Sequence, residues 1–159
     1  MRRLALACAL PLALACGASA VVEVDKADLE GYQAWASVEA TGAIPAHGDT
    51  IRVIYANEAA TRRVTEGAGR YPAGSVIVKE IYQRDGEGAG ALDYIAVMRM
   101  LTQAPEGGAL HSLSFDDQGW LFTDLRDGID GDEAYSASCW DSCHVASPFD
   151  GAFLDYATD

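Results

Sequence analysis

The chain has 159 residues, of which 50% are hydrophobic and 22% are charged, and its formal net charge is −13. This length and apolar fraction predict one globular domain with a buried core and exclude a disordered chain. The 24 acidic residues outnumber the 11 basic ones. A nucleic acid or an anionic membrane surface needs a basic partner, so we expect no nucleic-acid binding.

The first twenty residues have the pattern of a signal peptide. Arg2 and Arg3 are followed by an apolar segment at residues 4–15, and small residues end at Ala20, as a signal peptidase requires. The apolar segment is shorter than the roughly 20 residues of a membrane span. We therefore expect cleavage after Ala20, a periplasmic domain over residues 21–159, and no stable membrane insertion. Loss of the two arginines would take the charge from −13 to −15.

The rest of the chain predicts a mixed domain without repeats. In chain order, the patterns predict a helix at 26–40, a strand at 50–55, a helix capped by Asn57 and reaching about residue 66, strands at 76–82, 92–101 and 119–125, and a short helix around 139–144. The glycine-rich segment 85–90 is predicted to be a loop. Because the strands follow one another instead of alternating with helices, we expect an α+β fold with a mainly antiparallel sheet and flanking helices.

Two cysteines remain after the predicted cleavage, in the segment Cys139-Trp-Asp-Ser-Cys143-His144. In an exported chain such a pair can be a disulfide, although so short a loop adds little stability. The alternative is covalent haem attachment, in which both thiols bind the porphyrin and His144 binds the iron. The usual haem motif has two residues between the cysteines and this one has three. Zinc is a third alternative, but it lacks an evident fourth ligand.

Four segments spread over most of the mature chain carry a family resemblance. They are residues 51–55 (Ile-Arg-Val-Ile-Tyr), 71–80 (Tyr-Pro-Ala-Gly-Ser-Val-Ile-Val-Lys-Glu), 93–95 (Asp-Tyr-Ile) and 139–144. In this order they resemble the cytochrome P-460 and cytochrome c′-beta family of small periplasmic haem proteins. The second segment is the most specific, and followed by a haem-attachment motif it favours haem over a disulfide.

The resemblance implies roles for individual residues. Cys139 and Cys143 would hold a haem c covalently, and His144 would be the proximal iron ligand. Lys79 stands where the hydroxylamine-oxidising members have a lysine covalently bonded to the haem edge. Arg52 matches a distal arginine that donates hydrogen bonds to an iron-bound ligand. The resemblance also implies a sheet with flanking helices, an open coordination position on the iron and a possible homodimer.

Without the resemblance, several of these residues have ordinary explanations. Lys79 follows an apolar strand segment, so it can be a strand-end lysine that extends its ammonium group to water. Arg52 faces away from its apolar neighbours, either into solvent or toward a ligand. His47 and His111 lie in segments typical of loops, and we expect both to be exposed. The acidic segment 127–133 lacks the calcium-loop pattern and is expected to be a solvated loop.

Met98 departs from the pattern of the hydroxylamine-oxidising members, which carry a distal carboxylate at this place after the Asp-Tyr-Ile segment. Methionine cannot accept a proton, and the loss of a positioned general base typically costs about 10²–10⁴-fold in rate. Met98 can line an apolar distal pocket, as in the gas-binding branch, or bind the iron and raise its reduction potential. We favour pocket lining, which is the commoner role of methionine.

Two functions therefore follow from the resemblance. The first is oxidation of hydroxylamine or nitric oxide at the open iron, with Arg52 and Lys79 as catalytic residues. The second is non-enzymatic nitric-oxide binding or electron transfer, with Met98 lining the haem pocket. The expected partners are a small nitrogen-oxide or hydroxylamine ligand and a soluble basic electron-transfer protein, which the acidic surface would attract. A haem-free domain with a disulfide is the third alternative.

Overall fold

A computed structural model describes residues 20–44, 47–62, 70–112 and 118–153. Its centre is a six-stranded sheet in which each strand pairs antiparallel with the strand that precedes it in the chain. The strands are β1 (Ala36–Ile44), β2 (Gly48–Ala56), β3 (Val76–Asp85), β4 (Gly88–Leu101), β5 (Gly119–Leu125) and β6 (Glu133–Tyr135). The helices are α1 (Glu58–Thr61), α2 (Ala137–Ser142) and three 3-10 helices (Lys26–Leu29, Tyr32–Ala34 and His144–Ala146). The predicted α+β fold with a mainly antiparallel sheet is confirmed.

Strand alternation divides the sheet into two faces. Lys79 pairs with Ile54 and Ala96, and Met98 pairs with Ile77 and Phe122, so these six residues share one face, here called the site face. The next residue along each strand points to the opposite side, the back face. The segment from α2 to Ala152 covers the site face, and the first two 3-10 helices cover the back face.

The predicted helix at 26–40 is wrong over most of its length. Leu29 and Tyr32 are buried, as the helical spacing indicates, but they lie in two separate 3-10 helices. Gly31, at φ 67°, separates the two helices with a left-handed turn. From Ala36 onward the chain pairs with β2 over nine residues. Pairing with a neighbouring strand thus overrides the local helical pattern.

The other predicted elements agree more closely with the structure. Asn57 caps α1, since its Oδ1 accepts from the backbone N–H of Ala60 at 3.0 Å. The helix ends at Thr61, and residues 63–69 lie outside the described ranges. All four predicted strands are present, but the expected loop at 85–90 is a tight turn, in which Asp85 already pairs with Gly88. Within the described ranges, no helix is long and apolar enough to cross a membrane.

The back face contains a buried ionic network that the sequence did not predict. Arg99, only 1% exposed, binds the carboxylates of Asp28 and Glu133, and its Nη1 also donates to the hydroxyl of Thr123. Glu133 is 2% exposed and begins β6. The expectation of a solvated acidic loop at 127–133 is therefore wrong at its last residue, because the buried guanidinium compensates the charge of Glu133.

Candidate functional site

The two cysteines lie on one helical segment over the site face. Cys139 is in α2, and Cys143 is the residue that ends this helix. Residues four positions apart lie on the same side of a helix, so the three-residue spacer brings both side chains to one side. Both are free, half-buried thiols. Trp140, between them, is 8% exposed and packs in the apolar cluster of the site face. This geometry fits attachment of one ligand through both thiols.

His144 follows directly and is held in one orientation. Its Nδ1 lies 2.6 Å from the carbonyl oxygen of Gly151. A carbonyl only accepts, so Nδ1 carries the proton and the lone pair of Nε2 is the one available to a metal. Burial lowers the pKa of His144 to about 4, which keeps the imidazole neutral at pH 7. The rings of Phe122 and Phe153 flank it at 4.9 and 5.2 Å between centroids.

The loop that orients His144 needs a glycine at position 151. Gly151 has φ 92°, and a Cβ atom there would lie 2.5 Å from Nε1 of Trp120. That indole nitrogen donates to the carbonyl of Asp150 at 2.6 Å. The loop is thus fixed against β5 with no room for a side chain. Our sequence reasoning missed Gly151, although an Asp-Gly pair is a turn signal.

Arg52 is buried on the site face, at 4% exposure. Its Nη1 donates to the carbonyl of Gly42 at 3.0 Å and to the hydroxyl of Thr50 at 3.3 Å. The β1–β2 hairpin therefore holds the guanidinium in place. The explanation of Arg52 as a solvent-facing strand residue is wrong, because the alternation that turns it away from Ile51 points it into the core.

Lys79 is half-buried near the centre of the sheet, since β3 continues to Asp85, so it is not a strand-end lysine. The pKa of Lys79 is lowered to about 8, chiefly by burial and also by the charge of Arg52, while Cys139 and Cys143 act in the opposite direction. Lys79 is thus near enough to Arg52, on the neighbouring strand, and to the two thiols of the covering segment for their charges to influence its pKa.

Both histidines expected to be exposed are instead half-buried and hydrogen-bonded. His47 lies 3.1 Å from Nζ of Lys79 through its Nε2 and 2.6 Å from the hydroxyl of Tyr94 through its Nδ1. Burial, then the charges of Lys79, Arg52 and His144, lower its pKa to about 4. Loop composition suggested exposure, and only the register of the folded sheet brings this histidine over β3.

His111 is also half-buried and hydrogen-bonded, but it lies in a different part of the fold. Its ring stacks on Trp140 with 5.5 Å between centroids, and its Nε2 lies 2.7 Å from the hydroxyl of Tyr135. Burial lowers its pKa, while the charge of Asp141 acts in the opposite direction. Unlike His47, it contacts aromatic residues of β5, β6 and α2, which are Phe122, Tyr135 and Trp140.

Met98 packs in the apolar cluster of the site face and is 7% exposed. In the sheet it lies between Ile77 and Phe122. These contacts support the interpretation of Met98 as a residue that lines an apolar pocket.

The residues of the site fit a haem. Two free thiols on one side of a helix, an imidazole with its Nε2 available and a large apolar sheet face match what a covalently attached porphyrin needs. Zinc is not supported, since among residues 20–44, 47–62, 70–112 and 118–153 no group of three His, Cys, Asp or Glu side chains is arranged to hold a metal ion.

Comparison with known proteins identifies the family. The family model described as Cytochrome P460 matches residues 29–149, which is most of the chain. A search of curated proteins gives no match. The matched range contains both cysteines and His144, in agreement with the fit to haem. The chain therefore belongs to the cytochrome P460 family of haem proteins.

Proposed function

We propose that this protein is a periplasmic mono-haem c-type cytochrome that oxidises hydroxylamine or nitric oxide at an open haem iron. The observation that carries the proposal is the position of two cations. Arg52 and Lys79 lie together on the site face, and Lys79 interacts electrostatically with Arg52, Cys139, Cys143 and His144. A simple electron-transfer protein has no need of fixed cations inside its haem pocket.

Each residue has a role in this proposal. Cys139 and Cys143 would hold the porphyrin through thioether bonds, and Nε2 of His144 would bind the iron. The haem supplies the redox chemistry and the open coordination position. Arg52 would donate hydrogen bonds to the bound nitrogen compound and stabilise negative charge that develops on it. Lys79 would contact the edge of the haem and, as in the resembling enzymes, form a covalent bond with it.

The apolar packing around these groups strengthens their effect. Met98, Phe122 and Trp140 are at most 8% exposed. An environment with few water molecules has a low effective dielectric constant, so a fixed guanidinium there interacts more strongly with developing charge than it would in water. The strands thus supply the cations, and the strands and α2 together supply the apolar medium in which they act.

The proposal is tested with protein exported together with a haem-attachment system. We expect a haem-stained band on a denaturing gel, and hydroxylamine-dependent or nitric-oxide-dependent reduction of an artificial electron acceptor. Arg52→Leu should lower this rate by roughly 10²-fold, the typical effect of losing one charge-stabilising donor. Arg84→Gln is the matched control, because Arg84 is also a strand arginine but pairs with Asp49 at the surface. Covalent haem without turnover of either compound would contradict the proposal.

The second candidate function is nitric-oxide binding or electron transfer without turnover. Met98 favours it, because a methionine cannot take the proton that hydroxylamine must lose. Under this alternative, ferrous protein would bind nitric oxide, and neither compound would reduce the acceptor. Met98→Glu would then be expected to create hydroxylamine oxidation, with Met98→Leu as the control that keeps the apolar lining.

A further inference from the structure

Three residues of the site form a continuous hydrogen-bonded chain. Nζ of Lys79 lies 3.1 Å from Nε2 of His47, and Nδ1 of His47 lies 2.6 Å from the hydroxyl oxygen of Tyr94. The chain runs from the middle of β3, through the turn between β1 and β2, to β4. Tyr94 is only half-buried, and the guanidinium of Arg126 lies 4.4 Å from the centre of its ring. The chain therefore leads from the site face toward the protein surface.

The chemistry of the donors gives this chain a direction. A lysine ammonium group has donors only, so Nε2 of His47 must be the acceptor in the first hydrogen bond. In a neutral imidazole the proton is then on Nδ1, which donates to the oxygen of Tyr94. The hydroxyl proton of Tyr94 remains free to be given to solvent. In each of these two hydrogen bonds, the donor is thus the residue nearer to the haem site.

We propose that His47 accepts the proton of Lys79 and passes one on to Tyr94, which leaves a neutral amine at the haem site. One N–H bond breaks at Nζ of Lys79 and one forms at Nε2 of His47. The Nδ1–H bond of His47 breaks, an O–H bond forms at Tyr94, and the original hydroxyl proton of Tyr94 passes to solvent. No electrons are exchanged: Lys79 ends as a neutral amine, His47 as a neutral imidazole with its proton on Nε2, and Tyr94 again as a neutral phenol.

The surroundings of Lys79 favour the loss of its proton. Arg52 lies on the neighbouring strand β2, and His47 lies in the turn at 3.1 Å from Nζ. From the covering segment, Cys139, Cys143 and His144 interact electrostatically with Lys79. The guanidinium of Arg52 is a permanent positive charge, and it acts with burial to disfavour a second one. Met98 provides no acceptor. The imidazole of His47 is the group in hydrogen-bonding contact with Nζ that can take a proton.

The inference rests on the proposed function, because a neutral amine is the form of Lys79 that can bond to the haem edge. In that bond a C–N bond replaces an N–H bond of Lys79 and a C–H bond of the porphyrin edge. The two electrons and two protons released reduce one hydrogen peroxide to two waters. The amount of Lys79–haem adduct therefore reports on the proton acceptor independently of enzyme turnover.

The experiment uses haem-loaded full chains treated with hydrogen peroxide, and mass spectrometry of the haem peptides measures the rate of adduct formation. The variants are His47→Gln, which keeps an acceptor for the hydrogen bond but cannot carry a proton, His47→Phe, which removes both, and Tyr94→Phe. At neutral pH we expect both His47 variants to form the adduct about 10-fold more slowly, because solvent alone leaves only about a tenth of a lysine with a pKa of about 8 neutral at pH 7. Tyr94→Phe should show a smaller loss.

The chain itself provides a matched control. His111 is half-buried and hydrogen-bonded to the hydroxyl of Tyr135, as His47 is to Tyr94, but it does not contact Lys79. His111→Gln and Tyr135→Phe should therefore keep the wild-type rate. A second readout separates proton transfer from simple positioning. Well above the Lys79 pKa of about 8, solvent removes the proton, and His47→Gln should recover the wild-type rate.

The inference is overturned if His47→Gln forms the adduct at the wild-type rate at neutral pH, or if its defect persists at high pH. It is also overturned if the wild-type chain carries haem but forms no adduct. Haem content and hydroxylamine turnover are measured on the same preparations. Absence of hydroxylamine turnover by the wild type contradicts the proposed function. Turnover by the wild type, together with an unchanged rate of adduct formation in His47→Gln, contradicts only the inference about His47.

Discussion

Glu80 is a buried acidic residue of the back face whose carboxylate is stabilised by hydrogen bonds. It is 7% exposed, and its carboxylate accepts hydrogen bonds from three hydroxyls, those of Tyr32 at 2.6 Å, Tyr82 at 2.8 Å and Tyr55 at 3.0 Å. Each tyrosine can donate only while it is protonated. Burial, then the hydrogen bond to Glu80, then the charge of Glu80 raise the pKa of all three tyrosines, that of Tyr82 to about 12.

This cluster predicts a loss of stability at alkaline pH. An unfolded tyrosine has a pKa of about 10, so between pH 10 and about 12 the folded chain holds the proton of Tyr82 and the unfolded chain does not. The free energy of unfolding should be constant with respect to this group below pH 10 and should fall as the pH rises from 10 to 12. Denaturant unfolding at a series of pH values measures it.

The variant Glu80→Gln tests whether Glu80 causes this loss of stability at alkaline pH. Without the negative charge the folded pKa values lie closer to those of the unfolded chain, so the fall between pH 10 and 12 should be smaller than in the wild type. An identical pH dependence in the two proteins would show that Glu80 does not hold these protons.

Gly151 provides a prediction at the haem site. Gly151→Ala combines an unfavourable φ with a Cβ atom 2.5 Å from Nε1 of Trp120, so we expect it to lower the free energy of unfolding by about 1–3 kcal/mol. The carbonyl that accepts from His144 would shift, which should also change the reduction potential. Gly74→Ala is the control, because Gly74 has φ 85° and no atom within 4 Å of an added Cβ. Equal effects of both variants on the potential would contradict the role of Gly151.

At the scale of elements, strands were easier to predict from the sequence than their contacts. β2 and β3 could be predicted because isoleucine and valine alternate along short segments between turn residues. The 26–40 segment failed because the spacing of Leu29 and Tyr32 fits a helix equally well. β6, with three residues, is too short to leave a pattern. The role of His47 depends on sheet register, which no local pattern contains.

The back-face ion network links elements that are distant in the chain. Arg99 on β4 binds Asp28 in the first 3-10 helix and Glu133 on β6. Because Arg99 and Glu133 are almost fully buried, Arg99→Met should cost about 3–5 kcal/mol, the typical result of leaving one buried charge unpaired. Glu133→Leu should cost less, since Asp28 still pairs with Arg99. Arg99→Met combined with Glu133→Leu should recover most of the loss caused by Arg99→Met. Chemical denaturation of the three variants measures this, and additive losses would contradict the pairing.

At the scale of the whole molecule, charge separates the surface from the site. The chain carries −13 in total, yet Arg52 and Lys79 lie together on the site face. We propose that the acidic surface attracts a soluble electron-transfer partner with a basic surface, since complementary charges accelerate association. The second-order rate of electron transfer with such a partner should fall by about 10-fold or more between low and high ionic strength. A rate independent of salt would contradict this proposal.

The two faces of the sheet also restrict how the length of this chain can vary. Lys79 and Glu80, like Met98 and Arg99, are sequence neighbours that belong to opposite faces. One residue inserted within β4 would move every side chain beyond it to the other side. Arg99 would then enter the haem site and Met98 the ion network, so a single insertion would abolish cofactor binding and folding stability together. The turn at Gly86 lies beyond both clusters, so a residue inserted there would leave the alternation of β3 and β4 unchanged.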